Sequence, residues 1–263
     1  MSARASGPAG GTGGVTGIVG LGHFGGALAR LLESAGKRYV AHDARGAAVS
    51  GVNAGCVAAD LGEVAQRAGV IVVCVPVPAL EGVLRALVPM LGPSHLVMDV
   101  GSVKERPARE MARVLGAAVP WCATHPLFGP AALQRGERPL RAVVCANGVH
   151  AGAHGRARAF YEELGCEVLE QTPEEHDALM AETHALAFFV ARAMQELGAG
   201  EGAAFVPPSF RAMAQTIETV RVDAGHLFEV IQRDNAYAGA ARARLMDALA
   251  RIDGELTGKD REG

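Results

Sequence analysis

Lysine, aromatic rings and paired cysteines are all scarce in this chain. Of its 263 residues only 3 are lysine, against 22 arginine, and aromatic residues make up 5%. With so few large rings the core must be assembled from small pieces, and 49 alanines and 34 glycines supply them. The 5 cysteines (Cys56, Cys74, Cys122, Cys145 and Cys166) are odd in number, widely spaced and set in or beside apolar runs. No CxxC pair or Cys/His cluster has metal-ligand spacing, so they read as buried thiols rather than disulfides or zinc ligands. No apolar stretch approaches the ~18 residues of a membrane span. The N-terminus lacks the charged-then-apolar layout of a signal peptide. The net charge is −3 and neither sign forms runs, which speaks against nucleic acid or an anionic membrane as the main partner. A soluble, cytoplasmic protein acting on a small molecule is expected.

At ~150 residues per domain the length fits one or two domains, large enough for a hydrophobic core without metal or disulfide support. Residues 1–14 (MSARASGPAGGTGG) offer almost nothing to bury and are expected to form a disordered tail. From Val15, strand-length apolar runs recur: 15–20, 38–42, 70–75, 95–100, 117–124 and 141–147. They are apolar throughout rather than alternating, as in parallel strands covered on both faces. Helical spacing appears between them, as in Phe24 to Ala35, Leu80 to Leu91 and Lys104 to Leu115. Strand and helix in alternation imply an α/β, doubly wound, mostly parallel sheet with ligands at the carboxyl ends of its strands, here over residues 15–171.

After Glu170 the strands stop. Residues 172–258 hold four helical stretches, roughly 174–197, 209–220, 223–237 and 238–256, and read as a separate all-helical unit. Alanine-rich faces, for example Ala181, Ala185, Ala191 and later Ala238 and Ala241, allow close helix approach in a bundle or an intertwined dimer. So thin a unit is expected to bury part of itself against a second copy, giving a homodimer.

Gly20-Leu21-Gly22-His23-Phe24-Gly25 is a GxGxxG turn that ends an apolar strand and opens a helix. Gly20 makes the turn, Gly22 admits a pyrophosphate and Gly25 lets the helix pack close, with the positive helix end aimed at the phosphates. The next strand ends near Asp43, 18 residues after Gly25, where a carboxylate accepts hydrogen bonds from ribose hydroxyls and repels the extra phosphate of NADP. NAD is therefore the expected cofactor, although Arg45, two residues on, is placed to soften that preference. The competing reading is a glycine-rich turn with a capping aspartate and no cofactor. His23 and His42 read as surface or packing side chains, His23 also bordering the turn.

Two further strand ends carry polar groups: Asp99-Val100-Gly101-Ser102-Val103-Lys104 and Thr124-His125-Pro126-Leu127-Phe128-Gly129-Pro130. A histidine at a strand's carboxyl end, followed by proline and near a hydride acceptor, fits a general base for oxidising an alcohol. Ser102 is placed to bind the same hydroxyl. The alternatives are a loop-anchoring histidine and a serine that caps the following helix. Lys104 reads as a solvated first-turn side chain. In the helical unit His176, Met180, His184 and Phe188 share one stripe, where a histidine is more often a packed core residue than a functional one. Arg211 follows Pro207-Pro208-Ser209-Phe210. With Ser209 capping a new helix, its guanidinium and the helix N-terminus would converge on a carboxylate, or it is one surface arginine among many.

Taken together, GLGHFG, Asp43, CVPVPAL (74–80), DVGSVK (99–104), THPLFGP (124–130), Glu175-His176-Asp177 and Ser209-Phe210-Arg211 resemble the prephenate/arogenate dehydrogenase family, from about Thr16 to Asn235. The resemblance implies a dinucleotide-binding domain with a helical dimerisation domain. It also implies NAD-dependent oxidation of a cyclohexadienyl dicarboxylate at ring C4, with loss of the ring carboxylate as CO2. By position, His125 would take the proton of the C4 hydroxyl, Ser102 would bind that hydroxyl and Arg211 a substrate carboxylate. Gly20, Gly22, His23, Phe24, Gly25, Asp43, Val75, Pro76 and Gly101 would contact the cofactor. The family's substrate-facing histidine falls where this chain has Phe188, and His184, one turn earlier, is the candidate to take its place. Prephenate, arogenate and 4-amino-4-deoxyprephenate all remain open as substrates, as does a non-catalytic NAD-binding protein. Related hydroxyacid dehydrogenases and imine reductases share the layout. The former generally use a helical-domain lysine, and none lies between Lys104 and Lys259.

Overall fold

The computed structural model describes residues 14–46, 52–222 and 226–258, so most of the expected tail and part of the stretch near 223 lie outside the described residues. The first half runs β1 (Val15–Val19), α1 (His23–Ser34), β2 (Tyr39–His42), α2 (Leu61–Arg67), β3 (Ala68–Val73), α3 (Val77–Leu87), β4 (Leu96–Asp99) and α4 (Glu105–Val114). Then come β5 (Trp121–Pro126), α5 (Pro130–Gln134), β6 (Leu140–Cys145), α6 (Ala151–Glu163) and β7 (Cys166–Gln171). The helical remainder is α7 (Pro173–Met180), a π-helical turn Ala181–Ala185, α8 (Leu186–Glu196), α9 (Pro208–Val222), α10 (His226–Glu229), a second π turn Val230–Asp234 and α11 (Ala238–Thr257).

The strands form one seven-stranded sheet in the order β2-β1-β3-β4-β5-β6-β7. All neighbouring pairs are parallel except β5 with β6, which run antiparallel through Thr124↔Val144 and His125↔Val143. The sheet is mostly parallel, as expected, and expectation and structure differ in β7, an edge strand too exposed to appear as an apolar run. The sequence reverses direction across the sheet between β1 and β3, so their carboxyl ends open the crevice where such sheets take ligands.

The unbroken apolar runs follow from burial on both faces. Neighbours in sequence enter opposite cores. Ile18, Met98 and Val144 join Leu28, Leu32 and Phe160 on one side, while Val19, Val97 and Val143 join Leu80, Leu84 and Trp121 on the other. The helical part has a far smaller core, built around Ala185, Phe188, Ala191, Val220, Ile231 and Ala238. Alanine at half of these sites lets the helices approach closely, but it leaves little apolar area to stabilise them.

The tightest packing in the fold lies at the first turn. Gly20 has φ of 96°, a left-handed value that favours glycine, and a side chain there would meet the Cys74 carbonyl at 2.7 Å and Val75 at 2.9 Å. At Gly25 an added Cβ would stand 1.9 Å from the Gly20 carbonyl oxygen. The start of α1 is thus pressed onto the turn with no room for a methyl group. Gly25→Ala should force them apart and cost ~1–3 kcal/mol as overpacking does. The midpoint of thermal unfolding, followed by circular dichroism, is expected to drop by several degrees, and an unchanged midpoint would contradict this close approach.

Candidate active site

Where the loops at the carboxyl edge of the sheet meet α1, the glycine turn leaves open space. A side chain at Gly22 would find nothing nearer than the Arg45 guanidinium at 4.0 Å, and Gly22 caps α1 without any side-chain hydrogen bond to its first amides. Free amides at a positive helix end, beside a residue with no Cβ, are what a pyrophosphate needs. Val75 backs the turn, and Pro76 caps α3. Gly101 donates its amide to Asp99 at 2.8 Å, where a Cβ would lie 2.9 Å from Val77. His23 is exposed at the head of α1, whereas Phe24 is half-buried and packs on Phe128 with ring centroids 6.0 Å apart. That contact joins the glycine turn to the loop after His125.

Asp43 does more than close a strand. Its Oδ2 accepts the Leu21 amide inside the glycine turn at 2.7 Å, and Arg45 pairs with both carboxylate oxygens at 3.1 Å. Hydrogen bonds from Arg45 hold the Asp43 carboxyl well below the usual carboxylate range. The acidic group at the expected ribose position therefore already shares its charge with an exposed guanidinium.

Beyond Met98↔Cys122, the last paired residues of β4 and β5, side chains take over from the ladder. The Asp99 carboxylate accepts the Thr124 amide at 3.1 Å, and the Thr124 hydroxyl donates to the Asp99 carbonyl at 2.5 Å. Lys104 enters this gap. Its ammonium is completely buried and lies 2.5 Å from both Asp99 Oδ2 and the Thr124 carbonyl. The expectation of a solvated lysine is thus corrected: a buried ammonium requires a counter-charge and acceptors, and the spread ends of β4 and β5 provide them.

Directly beyond Thr124 sits His125, 5% exposed, with its Nδ1 2.8 Å from Nε2 of His176. His176 Nδ1 is in turn 2.8 Å from Oδ1 of Asp177, and both residues are fully buried. The reading of His176 as a packed stripe residue missed this partner, which lies 51 positions away in sequence. His184 stacks beside His125 at 6.4 Å between centroids, inclined by 18°, and meets Phe188 edge-on at 4.5 Å. The π turn Ala181–Ala185 carries His184, and the widened turn is sealed by Gln232, whose Nε2 donates to the Ala185 carbonyl at 2.7 Å. Three imidazoles from two parts of the chain therefore converge at one strand end. Among the described residues no cluster has the make-up of a metal site.

Ser102 is half-buried on the loop between Asp99 and Lys104. Lys104, not Ser102, occupies the cap position of α4, and among the described residues the Ser102 hydroxyl makes no hydrogen bond. The helix-capping alternative is thereby removed. Arg211 is exposed in the first turn of α9, and among the described residues no hydrogen bond or ion pair joins its guanidinium to Ser102, His125 or His184. Its expected cap is also corrected. The Pro207 carbonyl accepts the amides of Phe210 and Arg211, so the helix starts at Pro208 and Ser209 lies inside it. Proline suits that first position because its φ is fixed and it has no amide hydrogen to satisfy.

The model of the prephenate dehydrogenase nucleotide-binding domain matches residues 28–140. Over that stretch the chain is similar to the nucleotide-binding domain of prephenate dehydrogenase. Among curated proteins it is 24% identical over 207 residues to a probable arogenate/prephenate dehydrogenase of Methanocaldococcus jannaschii, covering 76% of this chain and 46% of that one. It is 27% identical over 200 residues to the chloroplastic arogenate dehydrogenase 2 of Arabidopsis thaliana, covering 74% and 56%. The chain thus spans about half the length of the curated relatives it matches. Its fold is similar to the crystal structure of prephenate dehydrogenase from A. aeolicus in complex with hydroxyphenyl propionate and NAD+, with a TM-score of 0.72 at 16% identity over 95% of this chain and 92% of that one.

Burial governs the charge of the three histidines. It holds His125 well below its ordinary value, aided by the neighbouring His176, Lys104 and His184. It also lowers His176, against the opposing hydrogen bond of Asp177, and brings His184 to about 4. All three are neutral in the folded protein near pH 7. In the unfolded chain each returns to its ordinary 6.5, so below that value the unfolded state binds more protons and stability falls as pH falls. Urea midpoints taken from about pH 7.5 to about pH 4.5 should decline steadily below the ordinary histidine range. A flat profile would mean that these rings are protonated in the native state.

Proposed function

We propose that this protein is an NAD-dependent dehydrogenase that oxidises a cyclohexadienyl dicarboxylate of the prephenate or arogenate type to its aromatic product, with loss of the ring carboxylate as CO2. The observations that carry the reading are a neutral, buried histidine in β5 and an uncapped, glycine-lined helix N-terminus, both at the carboxyl edge of one sheet, with a serine on the loop after β4 whose hydroxyl makes no hydrogen bond among the described residues. Gly20, Gly22 and Gly25 with the first amides of α1 would hold the pyrophosphate, and Asp43 the ribose. His23, Phe24, Val75, Pro76 and Gly101 complete the cofactor's surroundings. NAD, when bound, supplies the hydride acceptor.

His125 then takes the proton from the C4 hydroxyl while Ser102 orients that oxygen. Lys104 stands behind His125 with its charge matched by Asp99, so it fixes the base without replacing it. Aromatisation makes loss of the ring carboxylate strongly favourable. His184 is the side chain closest in place to bind the far end of the substrate, and Arg211 is the carboxylate-binding cation this reading requires.

The resemblance leaves the substrate to be decided between prephenate, arogenate and 4-amino-4-deoxyprephenate. A panel of the three, each with NAD and NADP, followed by formation of the reduced cofactor, tests the reaction. Turnover of none would refute it, and turnover with NADP equal to that with NAD would make the Asp43–Arg45 pair neutral toward the extra phosphate. His125→Asn should retain NAD binding and lower turnover by ~10²–10⁴, the usual loss of an acid/base group. Undiminished turnover would remove His125 from the chemistry.

The helical part leaves a row of apolar side chains exposed along α11 (Met246, Leu249, Ile252 and Leu256), together with Leu197 and Phe205. With so small a core of its own, this supports a homodimer formed through the helical part. Arg211 lies in that part too. Light scattering is expected to give twice the monomer mass, and Arg211→Ala should raise KM by more than tenfold through loss of a charge-assisted contact. A monomeric mass would sink the first expectation and an unaltered KM the second.

A further inference from the structure

His176 and Asp177 are buried and adjacent in sequence, and the chemistry above gives them no part. Their hydrogen bonds nevertheless fix the proton on His125. The chain of donors begins at two backbone amides. Asp177 Oδ1 accepts the Lys104 amide at 2.7 Å and Oδ2 the Glu105 amide at 3.0 Å. An amide N–H only donates, so the carboxylate is an acceptor here, and it caps a helix that has no side-chain cap of its own. His176 Nδ1, at 2.8 Å from Oδ1, must therefore be the protonated nitrogen.

A neutral imidazole protonated at Nδ1 presents a lone pair at Nε2. Facing that lone pair at 2.8 Å is His125 Nδ1, which must donate in its turn. The remaining nitrogen of His125, Nε2, is left unprotonated. We propose that Asp177 and His176 form a positioning relay that holds His125 in the tautomer with a basic Nε2, using the first amides of α4 as its fixed reference. The proposal rests on His125 being the base.

Two consequences follow. A proton taken at Nε2 makes His125 an imidazolium whose Nδ1–H still donates to His176, one ring away from the negative Asp177. The base also becomes competent only when the helical part is docked on the sheet, because Asp177 belongs to α7 and its partner amides to α4. Arg106 of α4 reinforces the same docking by pairing with Asp234 at 2.8 Å, while inside the helical part the Asn235 side chain steadies α7 by donating to the Asp177 carbonyl at 2.8 Å. The groups facing His125 are His176 and His184 from the helical part and Lys104, with its partner Asp99, from the sheet side. Neither the Lys104 ammonium nor the Asp99 carboxylate is a member of the relay.

The test is the tautomer itself, read on the full chain without ligand from the ¹⁵N shifts of histidine-labelled protein, with His125 assigned by its loss in His125→Asn. The expected result is a protonated Nδ1 and a bare Nε2 on His125. Asp177→Asn removes the charge and leaves one acceptor oxygen for three donors, His176 Nδ1 and the amides of Lys104 and Glu105, so His176 is no longer held to its Nδ1–H form and His125 protonated at Nε2 should appear. In that variant kcat should fall by ~10²–10⁴ with KM within about threefold, as when an orienting carboxylate is lost from a catalytic triad. His176→Gln keeps an acceptor for His125 Nδ1 and should lose less than about tenfold in kcat, while His176→Leu should lose more than about a hundredfold. This pair decides the matter even if Asp177→Asn does not fold.

A protonated Nε2 in the wild-type protein overturns the relay, as does equal activity in the Gln and Leu variants. The tautomer is read without substrate, so a chain that turns over none of the three cyclohexadienyl acids would refute the proposed reaction while leaving the relay standing or falling by its own measurement.

Discussion

A buried ammonium sets the geometry of the sheet edge where the histidines meet. Lys104 comes from the loop after β4, yet it bonds the carboxylate that ends β4 and a carbonyl of β5. An unpaired charge in that place would be prohibitive, so the two strand ends must stay at the spacing that satisfies it. Thr124 adds a second bond to Asp99 and a third to the hydroxyl of the buried Tyr161 on α6. His125, one residue further, inherits this rigidity. Its backbone is also fixed by the antiparallel pairing with Val143 on β6.

The helical part reaches the sheet mainly through polar contacts. The apolar cluster near the junction is small (Val77, Val103 and Val230), whereas Asp177, His176 and the Arg106–Asp234 pair all bond across it. Polar junctions are directional, and a directional junction can place a ring to within a fraction of an ångström. An apolar one would tolerate sliding. This choice suits a site whose histidines come from both parts of the chain.

How much of this was legible beforehand depended on the range of the interaction concerned. The glycine turn, Asp43 and the strand runs are local patterns, and their elements formed where the residues indicated, within a few positions. Cys166–Gln171 escaped because an edge strand is covered on one side at most, so its residues alternate in no simple apolar way. The antiparallel turn between β5 and β6 leaves no mark in either strand, since both are buried and apolar. Lys104 and His176 were misread for one shared reason. Residue type gives an average preference, exposed for lysine and packed for a helical histidine. Only partners 20 and 51 positions away override it. The one signal available was rarity: a lone lysine in the middle of an arginine-rich chain invited a specific role.

The two π turns in the helical part carry an implication for how such sites diverge. Each holds one residue more than a regular helical turn, and deleting one residue would let the helix relax to ordinary α geometry. Side chains beyond the deletion would keep their places, because the bulge alone takes up the extra residue, while those inside it would move. At Ala181–Ala185 that change would shift His184 relative to His125. The identity of the side chain that faces His125 is therefore set by residue count as well as by residue type. A single-codon loss or gain would be a short evolutionary path to a new neighbour for His125, one that a column-by-column comparison of sequences would record only as a gap.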